Sequence, residues 1–505
     1  MKTRHLIVSA AAIAAMLLPW GAEAQRVTLL HTNDTHSQID PDSKNRGGIL
    51  RRKVLIDSVR AVDPNVVLID AGDAVQGSLF FTLFEGEVEQ KMLNELGYDM
   101  QILGNHEFDN GLEKLARNYA KAKPRLVSTN YDFSGTQLRD MFRPYWIKDV
   151  DGRRIAFIGV NVNPKGLIDP DNYAGMLYYD DIKTANALAD YLKNELKVDR
   201  VVAVSHIGYN EVPHHGDVDL AAGGSNIDVI IGGHSHDSVF PGSGSGLATT
   251  VMNKDGRPVT IAQMANKGLV LGEITIDFDA PGAPVVTSKA IPVDARLDSR
   301  ITDADRALLA PYRFKVDSIS AIYAGKSARE MKADSPELQN LLADWVFTEG
   351  ERLAGRKPDF ALINKGGIRN DIPAGTVTQG NIINMLPFNN RVVVVEMKGD
   401  SLARLFDIVS SQGGQPVSKE VKGRLKTRDH AADIRINGKR IDPEKTYTIA
   451  TIDYLQRGGD KMTPFTTAKL IAKSPNLLYR DLINEFENGS FKGKTLSGDP
   501  TVRLK

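Results

Sequence analysis

Five short stretches of this 505-residue chain concentrate the residue types that hold metal ions. They are His31-Thr32-Asn33-Asp34-Thr35-His36, Asp70-Ala71-Gly72-Asp73, Gly104-Asn105-His106-Glu107-Phe108-Asp109, Ser205-His206 and Gly232-Gly233-His234-Ser235-His236-Asp237. Imidazole and carboxylate donors without sulfur suit Zn, Mn or Fe ions. A carboxylate shared by two ions about 3.5–4 Å apart is the clamp used to split phosphoester bonds. The neighbouring glycines allow tight turns and a close approach of the backbone. A single Asp-x-His or His-x-His says little, because one such residue is more often a cap or a surface group. Six of the chain's 10 histidines fall in these stretches, and that concentration is what carries the reading.

Each stretch directly follows an apolar run: Val27–Leu30, Val66–Ile69, Met100–Leu103, Val201–Val204 and Val229–Ile231. With Arg154–Val160, these runs are continuously apolar rather than alternating, which predicts strands covered on both faces. Helical patterns separate them over Gly48–Val62, Glu87–Leu96, Leu112–Ala122 and Lys183–Leu196. An α/β layered domain follows, with the candidate ligands at the carboxyl ends of its strands, where such sheets bind ligands. Beyond a charged, helix-forming segment at Ile301–Ser320 the pattern changes to α+β. A helix is expected at Pro336–Ala354, strands at Phe360–Ile363, Arg391–Met397 and Tyr447–Ile452, and helices at Ser401–Ser411 and Leu477–Phe486. Asn437-Gly438 inside Ile434–Ile441 predicts a type I′ hairpin.

Composition bounds the rest. With 42% hydrophobic and 25% charged residues the chain is ordinary globular protein, long enough for two to four domains. Lys+Arg and Asp+Glu are both 63, so there is no basic surplus of the kind that binds a nucleic-acid polymer. The absence of cysteine excludes disulfides, thiolate metal sites and cysteine nucleophiles. Lys2 and Arg4, the apolar run Leu6–Leu18 and Ala22-Glu23-Ala24 read as a cleaved signal peptide over residues 1–24. The expected organisation is that leader, a catalytic domain over 25–300, a linker helix or hinge over 301–320, and a substrate-binding domain over 321–505. Export to the periplasm or medium is expected, with no membrane anchor after cleavage.

The motifs, in order, resemble those of calcineurin-like metallophosphoesterases. Gly104-Asn105-His106-Glu107-Phe108-Asp109-Asn110-Gly111, together with the His31–His36 and Gly232–Asp237 stretches, is similar to the two-domain 5′-nucleotidase and UDP-sugar hydrolase family. The resemblance implies a four-layer αββα domain followed by an α+β 5′-nucleotidase C-terminal domain. It also implies two divalent metal ions, zinc, manganese or similar. One would be held by Asp34, His36, Asp73 and His236, the other by Asp73, Asn105, His206 and His234, with Asp73 bridging. His106 would then be free to face the phosphate, oriented and kept cationic by Asp109. Phosphate would be released from nucleoside 5′-monophosphates, and pyrophosphate links of nucleotide sugars also cleaved, by metal-activated water attack.

The second domain carries matching segments. Asn364-Lys365-Gly366-Gly367-Ile368-Arg369 resembles the family's phosphate-binding turn, with Arg369 able to grip a phosphate bidentately and Asn364 able to hydrogen-bond substrate. By resemblance Phe388 and Tyr454 sandwich a nucleobase, Asn390 and Asp460 bond base or ribose, and Gly423 lies against the base edge. The chain departs from the family by carrying no extra arginines near the helix Pro336–Ala354, with only Lys332 and Arg329 nearby. Lys365 replaces a small residue and is a candidate substitute cation. Two other readings stay open: a 2′,3′-cyclic-nucleotide 2′-phosphodiesterase/3′-nucleotidase, and a catalytically silent nucleotide-binding protein. No ligand-type position has been lost, which weighs against the silent protein and against a metal-storage role.

Overall fold

The computed structural model describes residues 25–210, 215–280, 284–425 and 431–505. The leader, His5, His214 and His430 lie outside the described residues. Among those described, no helix is long and apolar enough to cross a membrane.

The N-terminal body stacks two sheets. In the first, Arg26–Thr32, Val66–Asp70, Met100–Gln101 and Arg125–Leu126 run parallel, and Val270–Asp277 and Val285–Pro292 extend the other edge antiparallel. In the second, Arg153–Asn161, Arg200–His206, Val229–Ile231 and Pro258–Met264 run parallel. Strand period decides which core each side chain enters. Val27, Leu29, Val67, Ile69, Val202 and Val204 meet between the sheets. Leu30, Val66 and Leu68 pack outward against Ile49, Ile56, Met92 and Leu93 of the helices Ile49–Arg60 and Glu87–Glu95. Val201, Ala203, Ala156 and Ile158 pack outward on Ala185, Ala189 and Leu192 of Asp181–Asn194. This is the four-layer αββα stack, and apolar residues on both sides of each strand explain the uninterrupted runs.

The five ligand-bearing strands do not share one sheet. Three belong to the first and two to the second, so the site forms where the carboxyl ends of two parallel sheets meet. The late antiparallel strands escaped the sequence reading, because Val270–Asp277 alternates and sits among turns that give no helix–strand rhythm.

In the C-terminal body, Phe360–Ala361, Thr446–Ile452, Val392–Lys398 and Lys469–Lys473 form a mixed sheet. The helix Pro336–Ala354 covers it, with Leu338, Leu342, Trp345 and Val346 buried. Its Ser335 cap accepts from Leu338 N, and Gly355 ends it with φ 64°. Asn437 and Gly438 have φ 50° and 77°, the two positive values of a type I′ turn, between Ala431–Ile436 and Lys439–Arg440. The segment between the bodies forms two helices, Asp303–Ala307 and Ala310–Ser320. Arg313 pairs with Asp40 at 2.5 Å and Tyr312 Oη lies 3.1 Å from Glu87 Oε1, which fastens the second of these helices to the N-terminal body.

Candidate metal-dependent active site

The backbone itself marks the site. Asp34, His36, Asp73, His234 and His236 all adopt left-handed φ, between 47° and 75°. Non-glycine residues rarely do so, and such strain clusters where function over-determines geometry. Tight loops at the strand ends impose it: His36 N donates to Asp73 O, and Asp34 N to Gly72 O, each at 3.0 Å. Gly104 has no room for a side chain, because a Cβ there would collide with Asp73 Oδ1.

Within this frame the sequence-predicted ligands converge. Asp34, His36 and His236 form one group of donor atoms able to hold an ion, and Asp34, Asp73 and His206 another. His36 Nε2 and His236 Nε2 face each other at 3.0 Å. Asp73 Oδ2 lies 3.2 Å from His206 Nε2 and 4.0 Å from His36 Nε2, so it stands between the two groups as a bridge must. Asp34 Oδ1, 3.4 Å from His236 Nε2 and 3.8 Å from His206 Nε2, also lies between them. Asn105 Oδ1 is 2.9 Å from His234 Nδ1, close to the same cluster.

These residues fit divalent cations. His206 Nδ1 bonds Ala71 O at 2.7 Å, leaving a fully buried Nε2 with no hydrogen-bond partner, the arrangement of a ligating histidine. Burial alone would lower the His206 pKa. The charges of Asp73 and Asp34 outweigh it and push it up to about 10, so the field at this point calls for positive charge. Asn33 supports the set, donating to Asp34 Oδ2 and Ala265 O at 2.7 Å each. Asn266 Nδ2 lies 3.0 Å from His236 Nδ1.

His106 Nδ1 lies 3.0 Å from Asp109 Oδ2, and its Nε2 points to within 4.0 Å of Asp73 Oδ2. Burial disfavours its imidazolium, but Asp109 and Asp73 prevail and raise the pKa to about 8. Asp109 C=O also accepts from Asn172, so it has a structural anchor besides.

A cavity of about 530 Å³ opens in front of this cluster, between the two bodies. Its lining includes His106, Asp109, Asp73, Asn105, His234 and His236 on one side. Asn364, Arg369, Phe388, Asn390, Tyr454 and Asp460 line the other. Asp34, His36 and His206 lie buried behind the first wall. The Arg369 guanidinium is 5.8 Å from the Phe388 ring centroid, and that ring is 5.7 Å from the His106 ring. Asp460, at φ 51°, accepts from Tyr454 Oη at 2.7 Å and Asn364 Nδ2 at 2.8 Å. Asn364 is 6% exposed, and its Oδ1 has no partner.

Two expectations fall elsewhere. Lys365 Nζ donates to Gln412 O at 2.9 Å and does not line the cavity, so it is no substitute for the absent arginines. Lys332 pairs with Asp371 and Arg329 with Glu337. Gly423 sits in the strand Val421–Leu425, bridged to Leu504, and does not line the cavity either. The sequence reading missed Asn110, Leu167, Ile168, Asp169, Asn172, Asn389 and Arg457, all of which line it. Asn389 Nδ2 donates to Asn110 Oδ1 at 2.8 Å, and Arg457 pairs with Asp169 at 2.9 Å, each across the gap between the bodies.

Stacked sheets with His/Asp/Asn loops at their joined carboxyl edge define a metallophosphoesterase. Residues 27–238 match the family model described as calcineurin-like phosphoesterase, and residues 314–468 match the 5′-nucleotidase C-terminal domain. The chain belongs to the two-domain 5′-nucleotidase family of calcineurin-like metallophosphoesterases, and it is a metal-dependent phosphoric monoester hydrolase. It is 27% identical over 502 residues to the 5′-nucleotidase of Rattus norvegicus, covering 89% of this chain and 86% of that protein. It is 27% identical over 476 residues to protein UshA of Yersinia enterocolitica, covering 86% of each. The crystal structure of a 5′-nucleotidase precursor from Thermus thermophilus superposes with TM-score 0.83 at 27% identity, covering 95% of this chain and 99% of that one.

Proposed function

We propose that this protein is an exported hydrolase that releases phosphate from nucleoside 5′-monophosphates with two divalent ions. One ion would be held by Asp34, His36, Asp73 and His236, the other by Asp73, Asn105, His206 and His234. When bound, the ions supply Lewis-acid stabilisation of the phosphoryl charge and activation of a water nucleophile. The observation that carries the reading is the single cavity of about 530 Å³ whose one wall is the ligand cluster and whose other wall offers a guanidinium and two aromatic rings. Arg369 neutralises and orients the phosphate. His106, kept cationic by Asp109, stabilises the phosphoryl oxygens or delivers a proton to the leaving oxygen. Phe388 and Tyr454 flank the base. Asn364, which lines the cavity, would hydrogen-bond the substrate. The leader-like residues 1–24 support export.

A phosphate-release panel tests this. AMP is expected to be turned over at least about tenfold better than 3′-AMP or 2′,3′-cyclic AMP, with UDP-glucose testing cleavage of nucleotide sugars as a second substrate class. Chelation is expected to abolish turnover. Chelator-insensitive release, or a preference for the 3′- or cyclic substrate, would overturn the assignment.

A further inference from the structure

We propose that Glu107 is a positioning residue for the metal pair: its carboxylate holds the loop bearing Asp73 and the loop bearing Asn105 in the register that lets both face the same ions. The inference rests on the dimetal reading above. Glu107 is 5% exposed and follows His106 in a short 3-10 turn, His106–Phe108. Its Oε2 accepts from Asp73 N at 3.0 Å and from Gly104 N at 2.6 Å, and its Oε1 from Ala74 N at 2.9 Å. One buried carboxylate thus satisfies three main-chain N–H groups drawn from two loops.

These loops need such a tie. The parallel pairing of Val66–Asp70 with Met100–Gln101 ends at Asp70 opposite Gln101. After the bond from Ile102 N to Asp70 O at 3.1 Å, no further main-chain bond joins the two segments among the described residues. Yet they run in close contact, since a Cβ on Gly72 would lie 2.6 Å from Gly104 N. The carboxylate continues the ladder where the strands stop. Asp73 Oδ1 adds one return bond, accepting from His106 N at 2.9 Å. Removing the tie frees the bridging Asp73 and the ligand Asn105 from each other, without touching a proposed ligand atom.

The test titrates metal-free protein with Mn²⁺ alone by calorimetry, checks folding by circular dichroism and thermal melting, and measures kcat and KM for AMP. Glu107→Gln keeps the shape but sets an amide N–H against main-chain donors. It is expected to fold, to bind Mn²⁺ about 10–100-fold more weakly, and to lose about tenfold or more in kcat at saturating Mn²⁺ while KM stays within about threefold. Glu107→Asp keeps the charge but falls one methylene short of both loops, and an intermediate loss is expected. Either folded variant binding two Mn²⁺ ions with wild-type affinity and turnover would overturn the proposal. Loss of fold in both variants would overturn it as well, by assigning Glu107 to stability. If the wild-type protein binds no pair of Mn²⁺ ions, the dimetal reading fails instead.

Discussion

On one wall of the cavity, the candidate ligands come off the ends of parallel strands, and Asp34, His36, Asp73, His234 and His236 among them carry left-handed backbone. On the facing wall, Asn364, Arg369, Phe388 and Asn390 come from two loops, Tyr454 from the short helix Asp453–Gln456 and Asp460 from the 3-10 turn Gly459–Lys461, and of these only Asp460 has positive φ. Metal ions tolerate little error in ligand placement, so the fold spends rigid strand ends and backbone strain there. The base and ribose recognition proposed for the facing wall would tolerate more, and short segments that bond among themselves, as Tyr454, Asp460 and Asn364 do, are stiff enough. If that division holds, damage to the first wall falls on kcat and damage to the second on KM.

The harshest trial is Asp73→Asn. It removes the negative charge of the carboxylate proposed as the bridge, whose Oδ2 lies 3.2 Å from His206 Nε2 and 4.0 Å from His36 Nε2. Loss of at least one ion by elemental analysis and a fall in kcat of about 10³-fold or more are expected. Full turnover after chelation and metal repletion would sink the bridging role. Next comes His106→Ala, expected to keep both ions and lower kcat by about 10²–10⁴-fold, because the ligand sets proposed above leave His106 out although its donor atom lies close to those of His36 and Asp73. An unchanged kcat would remove it from the chemistry.

The same division explains what could be read from the sequence. Strand-end ligands announce themselves by their number, because five apolar runs are each followed at once by a stretch with Asp, His or Gly-Asn-His, although any one of them alone says little. Glu107 stood inside such a motif, but nothing in its residue type says that it receives three main-chain donors rather than a metal. The facing wall was legible only through family resemblance. Leu167, Ile168 and Asp169 carry no local signal at all, since their place depends on how two bodies meet, and Arg457 stood inside the Tyr454–Asp460 segment with no role assigned to it. Lys365 misled for the opposite reason: a cation in a phosphate-binding turn looks functional, but the chain turns it to a main-chain oxygen at Gln412. The resemblance implied two stacked sheets, but which ligand-bearing strand joins which sheet was not legible, because strand order within a sheet is set by long-range pairing.

Phe388→Ala sharpens the recognition side. Its ring lies between Arg369 and His106, at 5.8 and 5.7 Å. Loss of one stacking surface contributes about 1–3 kcal/mol. KM for AMP is expected to rise about 5–100-fold, with a small aryl phosphate little affected. Equal effects on both substrates would mean that the ring supports the catalytic side.

The smallest expected effect is the one most able to blur the comparison, because Arg457 and Asp169 belong to opposite walls. Their 2.9 Å ion pair joins the bodies beside the cavity, with side chains 34% and 22% exposed. A pair so open to water contributes about 0.2–1 kcal/mol. Arg457→Ala and Asp169→Ala are each expected to lower kcat/KM for AMP by about 1.5–5-fold, and the double variant to be no worse than either single one. Raising ionic strength should shrink the wild-type advantage, since screening weakens the pair that both variants already lack. Fully additive losses, or losses indifferent to salt, would mean that each residue meets the substrate separately and that the two walls share recognition rather than divide it from catalysis.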